Sequence, residues 1–129
     1  MRVGNVLAAG VIACSIVGVV GSAHAQMPGN AERGKIVFLQ CHGCHSLEPG
    51  KNGIGPTLHG LFGRKAGSVP DFAYSPFMKR SGIVWSEAEL KSYLPDPQTK
   101  VPGTKMTFLG LSDPQQIVDI IAYLKEATK

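Results

Sequence analysis

The pentad Cys41-His42-Gly43-Cys44-His45 restricts this chain more than any other stretch. Two thiols separated by two residues and followed at once by an imidazole form the attachment pattern of a c-type haem. On one turn of backbone, each thiol can add to a vinyl group of the porphyrin. The next residue then lies under the ring, where its imidazole can bind iron. Covalent anchoring also lets a short chain hold a large cofactor without a deep pocket. Three other chemistries use some of the same residues. A thioredoxin-like pair needs a βαβ setting and no following His, and no alternating strand pattern surrounds Cys41. A structural zinc site needs four nitrogen or sulfur ligands, and beyond residue 25 only Cys41, Cys44, His42, His45 and His59 are on offer. A plain disulfide between Cys41 and Cys44 would leave His45 without a role.

Residues 1–25 read as a secretory signal: Arg2, an apolar run from Val6 to Val20, then Ala23-His24-Ala25 as an A-x-A cleavage pattern. The run is short for a membrane span, which needs about 18 or more apolar residues. Val11-Ile12-Ala13-Cys14 loosely fits a lipid-attachment site, an alternative that would leave Ser15 to Gly21 on the processed end. Cleavage after Ala25 is the preferred reading, with residues 26–129 as one domain and a periplasmic destination. A domain of this size has a modest core and gains from a cofactor at its centre. The formal charge of the whole chain is +4, too weak and too scattered to argue for nucleic acid.

Within residues 26–129 the spacing predicts helices and no convincing strand. Asn30 caps a first helix running to about Gln40. Gly and Pro dominate from Pro49 to Pro70, which reads as loop. Ser75-Pro76 opens a short helix, and Ser86 with Glu89 reads as a capping box for another that ends by Leu94. Pro95 to Leu111 reads as loop again. The last helix starts near Ser112 to Pro114, with Gln115 able to complete a second capping box. Ile117, Ile120, Ile121 and Leu124 follow at i, i+3, i+4 and i+7. That face needs a partner, and the first helix is the natural one. Gly34 would let the two backbones approach. The fold class is all-α, four to five helices with long loops around one haem.

His45 supplies one iron ligand, and the character of the iron depends on the other. His with Met is the pairing of electron-transfer haems. Met27 lies at the start of the domain, His42 points away between the thiols, and His59 would have to fold under the far side. Met78 is the remaining methionine besides Met106. Met106 sits in Pro102-Gly103-Thr104-Lys105-Met106-Thr107-Phe108, a loop that Pro and Gly can hold extended across a haem face.

With these residues in view, the chain resembles the class I cytochromes c, both mitochondrial and from the periplasm of purple bacteria. The resemblance spans nearly all of residues 30–129. It rests on the pentad, on Gly55-Pro56-Thr57-Leu58-His59-Gly60-Leu61-Phe62-Gly63-Arg64, on Gly82-Ile83-Val84-Trp85 and on Pro102-Gly103-Thr104-Lys105-Met106. It implies one covalent haem c on Cys41 and Cys44, with His45 and Met106 as axial ligands. The Pro56 carbonyl should accept a hydrogen bond from His45, as an outer partner of a ligating histidine does. Tyr93 should place its hydroxyl near the Met106 sulfur. Tyr74, Trp85, Thr104 and Arg64 match positions that hydrogen-bond or neutralise the haem propionates; for Trp85 and the tyrosines, ordinary core packing stays open. Phe108 matches the aromatic at the haem edge. Phe38 and Tyr123 match an aromatic contact between the terminal helices.

Two departures stand out. Met78 occupies a position where the family has an Asn, which implies a drier pocket. Gln40, Gln98, Ser112 and Asp113 stand where mitochondrial relatives carry docking lysines, while Lys105 and Lys100 remain. The resemblance implies a soluble, monomeric one-electron carrier that is not an enzyme. Its partners would be redox proteins: a cytochrome bc complex, and a terminal oxidase or photosynthetic reaction centre, with only transient contact at the membrane surface. A haem enzyme such as a peroxidase would need an open iron site with a distal acid–base group, which Met106 would block. A sensor would need a labile sixth ligand and an output domain.

Overall fold

The computed structural model describes residues 27–129; the signal sequence expected over 1–25 lies outside the described residues. Among these, five helices are present: α1 (Ala31–His42), α2 (Pro76–Arg80), α3 (Glu87–Tyr93), α4 (Pro97–Lys100) and α5 (Pro114–Ala127). An isolated antiparallel bridge between Lys65 and Val84 is the only β pairing among them. No helix of the described residues is long and apolar enough to cross a membrane.

Local chemistry explains the helix starts. Asn30, Ser75 and Ser86 each accept a hydrogen bond from the backbone N–H three residues on, satisfying a donor that the first turn leaves free. Four details differ from the sequence reading. The first helix continues two residues past Gln40, so Cys41 and His42 belong to its last turn. The stretch after Pro95 contains α4, where Asp96 caps and Pro97 takes the first helical position. The cap of α5 is Asp113, and Gln115 is drawn away from a capping box to bond Met27 and Asp119. In α3 likewise, Glu89 does not reach back to its cap but lies 3.0 Å from Lys100.

The terminal helices α1 and α5 cross at Gly34. A Cβ there would overlap the Asp119 carbonyl oxygen and lie 2.8 Å from the Tyr123 Cβ, so only glycine permits this approach. Phe38 packs its ring 5.3 Å from that of Tyr123. Ile117, Ile120, Ile121 and Leu124 are all buried, as their spacing demands.

Asp119 closes the same crossing with charge. Its carboxylate accepts from Arg33 Nε at 2.7 Å and Nη2 at 2.8 Å, from the Asn30 backbone N–H at 2.8 Å and from Gln115 at 3.1 Å. The hydrogen bonds from Arg33 lead in holding the Asp119 carboxyl down at about 2, against burial, which pushes it up. Because the folded value lies below the ordinary one, the stabilisation is present above about pH 4 and is lost as pH falls towards 2. Arg33 is half-exposed, so the contribution is discounted to on the order of 1–2 kcal/mol. Asp119→Asn should lower the unfolding free energy from urea titration at pH 7 by that amount, and the gap from the parent should close as the acid limb is descended. A gap independent of pH would remove the charge from the account.

Candidate haem-binding site

Three segments meet around a mainly apolar cavity of about 630 Å³. That size lies within the range of small-molecule and cofactor sites. The last turn of α1 and the backbone turn after it form one wall. The Cys44 and His45 amides both donate to the Cys41 carbonyl, at 3.1 and 2.9 Å, which brings Cys41, Cys44 and His45 to the same opening. The second wall is a short ladder in which Trp85 N–H donates to Arg64 O and Gly63 N–H to Trp85 O. The third is the loop between α4 and α5, which carries Met106.

The Cys41 and Cys44 thiols are free, and no disulfide joins them. Burial, then the neighbouring Cys44, pushes the Cys41 thiol up to about 11, so it stays protonated and is a poor thiolate ligand. Among the described residues no three His, Cys, Asp or Glu side chains converge as a metal cluster, which leaves the zinc reading without ligands. The thioredoxin reading lacks its sheet, since the described residues contain no strand beyond one bridge.

His45 is held from behind. Its Nδ1 lies 2.7 Å from the Pro56 carbonyl, and since a carbonyl can only accept, Nδ1 carries the proton and Nε2 keeps its lone pair. Burial holds this imidazole below its ordinary pKa, opposed by the Pro56 hydrogen bond and aided by the charge of Arg64. The ring is therefore neutral, the form that binds a metal. Gly55 makes this placement possible: a Cβ there would lie 2.7 Å from Nδ1 and 2.9 Å from Nε2. Its side-chain-free contact with the ring was not foreseen from sequence, although it begins one of the quoted motifs.

Met106 is half-buried, and the Tyr93 hydroxyl donates to its sulfur at 3.7 Å. Tyr93 in turn packs edge-on against Trp85, with ring centroids 5.0 Å apart. Burial raises the Tyr93 hydroxyl, with a hydrogen bond involving Thr104 pulling the other way. Met78 is buried on the cavity wall, where it adds apolar surface. Pro56, Arg64, Tyr74, Trp85, Tyr93, Thr104 and Phe108 all line this cavity together with Cys41, Cys44, His45 and Met106. His42 and His59 do not.

Arg64 is half-buried, yet it finds carbonyls and no carboxylate: it donates to His59 O at 2.6 Å and Thr57 O at 2.9 Å. Burial lowers its pKa, while nearby Tyr74 opposes that shift. A cation so placed gives the cavity a positive end suited to an acidic group. The Tyr74 hydroxyl accepts from the Val69 N–H at 3.3 Å, which orients it at the same end. Free thiols, a neutral imidazole, a thioether sulfur, an apolar wall and one unpaired guanidinium are together a fit for haem c.

Comparison with known proteins agrees. The family model described as Cytochrome c matches residues 31–128. Cytochrome c2 of Blastochloris viridis is 51% identical over 98 residues, covering 75% of this chain and 77% of that one. Cytochrome c-550 of Nitrobacter winogradskyi is 47% identical over 102 residues, 78% of this chain and 94% of that one. Among solved structures, cytochrome cH from Methylobacterium extorquens superposes with a TM-score of 0.72 at 52% identity, over 76% of this chain and 99% of that one. The chain belongs to the cytochrome c family, and as a member it carries covalently bound haem c and transfers electrons rather than transforming a substrate.

Proposed function

We propose that this protein is a periplasmic one-electron shuttle in which Cys41 and Cys44 anchor the haem and His45 and Met106 ligate its iron. When bound, the haem supplies one-electron cycling between ferrous and ferric iron. The chain's own residues keep the surroundings alike in both states. The Pro56 carbonyl fixes the His45 tautomer and orientation. Tyr93 holds the Met106 sulfur. Arg64, Tyr74, Trp85 and Thr104, all on the cavity lining, would neutralise or hydrogen-bond the propionates, whose burial unpaired would be costly. Phe108, on the same lining, would cover the haem edge. The observation that carries this reading is the convergence of two free thiols, a neutral imidazole and a thioether on one cavity.

Residues 1–25 would direct export and be removed after Ala25. Mass spectrometry of the purified holoprotein should give a chain starting at Gln26 with one covalent haem and no lipid. The ferric protein should show the far-red absorption band of an iron–thioether bond. A colourless exported chain, or iron five-coordinate at rest, would end the proposal.

Donor and acceptor would be a cytochrome bc complex and either a terminal oxidase or a photosynthetic reaction centre. The surface argues for contact that is more apolar than ionic. Ile54, on the cavity lining, and Leu109, next to the lining residue Phe108 in sequence, are 81% and 88% exposed. Lys105 donates its Nζ to the Ala73 carbonyl, and Lys100 pairs with Glu89. Lys100 is thus neutralised, and Lys105, bonded to a neutral carbonyl, is left as the one steering charge of the two. Association with a redox partner should therefore change less than about threefold between roughly 0.01 and 0.2 M salt, where strongly steered pairs fall steeply. A steep fall in stopped-flow rate over that range would contradict this.

A further inference from the structure

The loop that presents Met106 has an unusual deficit. Thr104 donates its N–H to Val101 O, and the next backbone–backbone hydrogen bond runs from Leu111 N–H to Leu94 O. Among the described residues none engages residues 105–110. Gly103 and Gly110 bracket the loop at φ +81° and +109°, a region open to glycine. Gly103 lies against the Phe77 ring and Gly110 against the Pro95 backbone, and no backbone–backbone hydrogen bond supports the segment between them.

Side chains hold it instead, and two do so at Met106 itself: Tyr93 on the sulfur at 3.7 Å and Gln98 on the backbone. Gln98 donates its Nε2–H to the Met106 carbonyl at 2.6 Å. The other ties are weaker or more remote. The Met106 N–H reaches Thr104 Oγ1 at 3.4 Å, and Lys105 bonds Ala73 through a long flexible chain. The post from which Gln98 reaches is firm. Asp96 caps α4 through the Thr99 N–H at 3.0 Å and its hydroxyl at 2.6 Å, Pro97 is fully buried and Val101 is 3% exposed.

We propose that Gln98 is a positioning residue: its amide clasps the Met106 carbonyl and sets how often the 105–110 loop swings away from the cavity. This rests on Met106 being an iron ligand. While the clasp is made, the sulfur stays in place and an external ligand cannot enter. When it breaks, no backbone–backbone hydrogen bond of residues 105–110 remains to hold the loop in place. Gln98 is exposed, so water competes for both partners and one such bond shifts the opening equilibrium by about two- to tenfold.

The test uses the ferric holoprotein and imidazole as the entering ligand, followed by stopped-flow loss of the far-red band. Gln98→Leu removes the donor. Gln98→Glu keeps the shape but presents an ionised acceptor to the carbonyl. Both should bind imidazole about two- to tenfold faster than the parent. If Gln98→Glu keeps the parent rate, the side chain acts by bulk alone and the clasp is refuted. Unchanged rates in both variants, with the band present in the parent, overturn the clasp and leave Met106 ligation standing. A parent without the band removes both readings together.

Discussion

Replacing Met106 by Ala should abolish the far-red ferric band and lower the midpoint potential by on the order of 200 mV, a part of the roughly 0.8 V over which axial ligands set haem potentials. A neutral, soft thioether favours the ferrous state, and the Tyr93 hydroxyl at 3.7 Å draws density from the same sulfur. With both gone, the ferric form gains. Met78, the other methionine on the cavity wall, supplies the comparison: Met78→Ala should keep the band. Voltammetry and an absorption spectrum on the two variants decide it. A Met106→Ala protein with the parental spectrum would hand the axial role to another residue.

Gly34→Ala should lower stability by about 3 kcal/mol, the upper part of the usual range for overpacking. The new methyl would meet the Asp119 carbonyl and the Tyr123 Cβ, and backbone held in a helix has little room to yield. For a domain of this length that corresponds to a fall of roughly 12–24 °C in Tm. Ile36 on the same helix is 69% exposed, so Ile36→Ala should cost far less. Equal losses at the two positions in thermal unfolding of the holoprotein would show that the crossing is looser than described.

The features legible in the sequence were those with a short period or a fixed offset. The i, i+3, i+4, i+7 row of α5 foretold its buried face, and the Ser75-Pro76 and Ser86 signals foretold two helix starts. Helix α4 is hard to read from sequence because one turn bounded by prolines resembles loop, although Asp96-Pro97 is a cap followed by a favoured first residue. The haem-attachment pentad marked one wall of the cavity, and motif resemblance brought the remaining lining residues to it. Side-chain choices over long separations were not legible. Nothing local says that Gln115 will abandon a capping box for Met27, or that Gln98 will meet the Met106 carbonyl. Those choices depend on which segments have already been brought together.

The Arg33–Asp119 latch bears on how the polypeptide is made and delivered. Its two halves are 86 positions apart in the chain, so the long intervening segment pays a loop-closure cost before they can meet. Synthesis runs from the amino end, and a knot tied by the final helix cannot tighten before that helix has emerged. Until then α1 lacks the partner against which Phe38 packs, and under the proposed function this open state is the one that would cross the membrane and offer Cys41 and Cys44 for attachment.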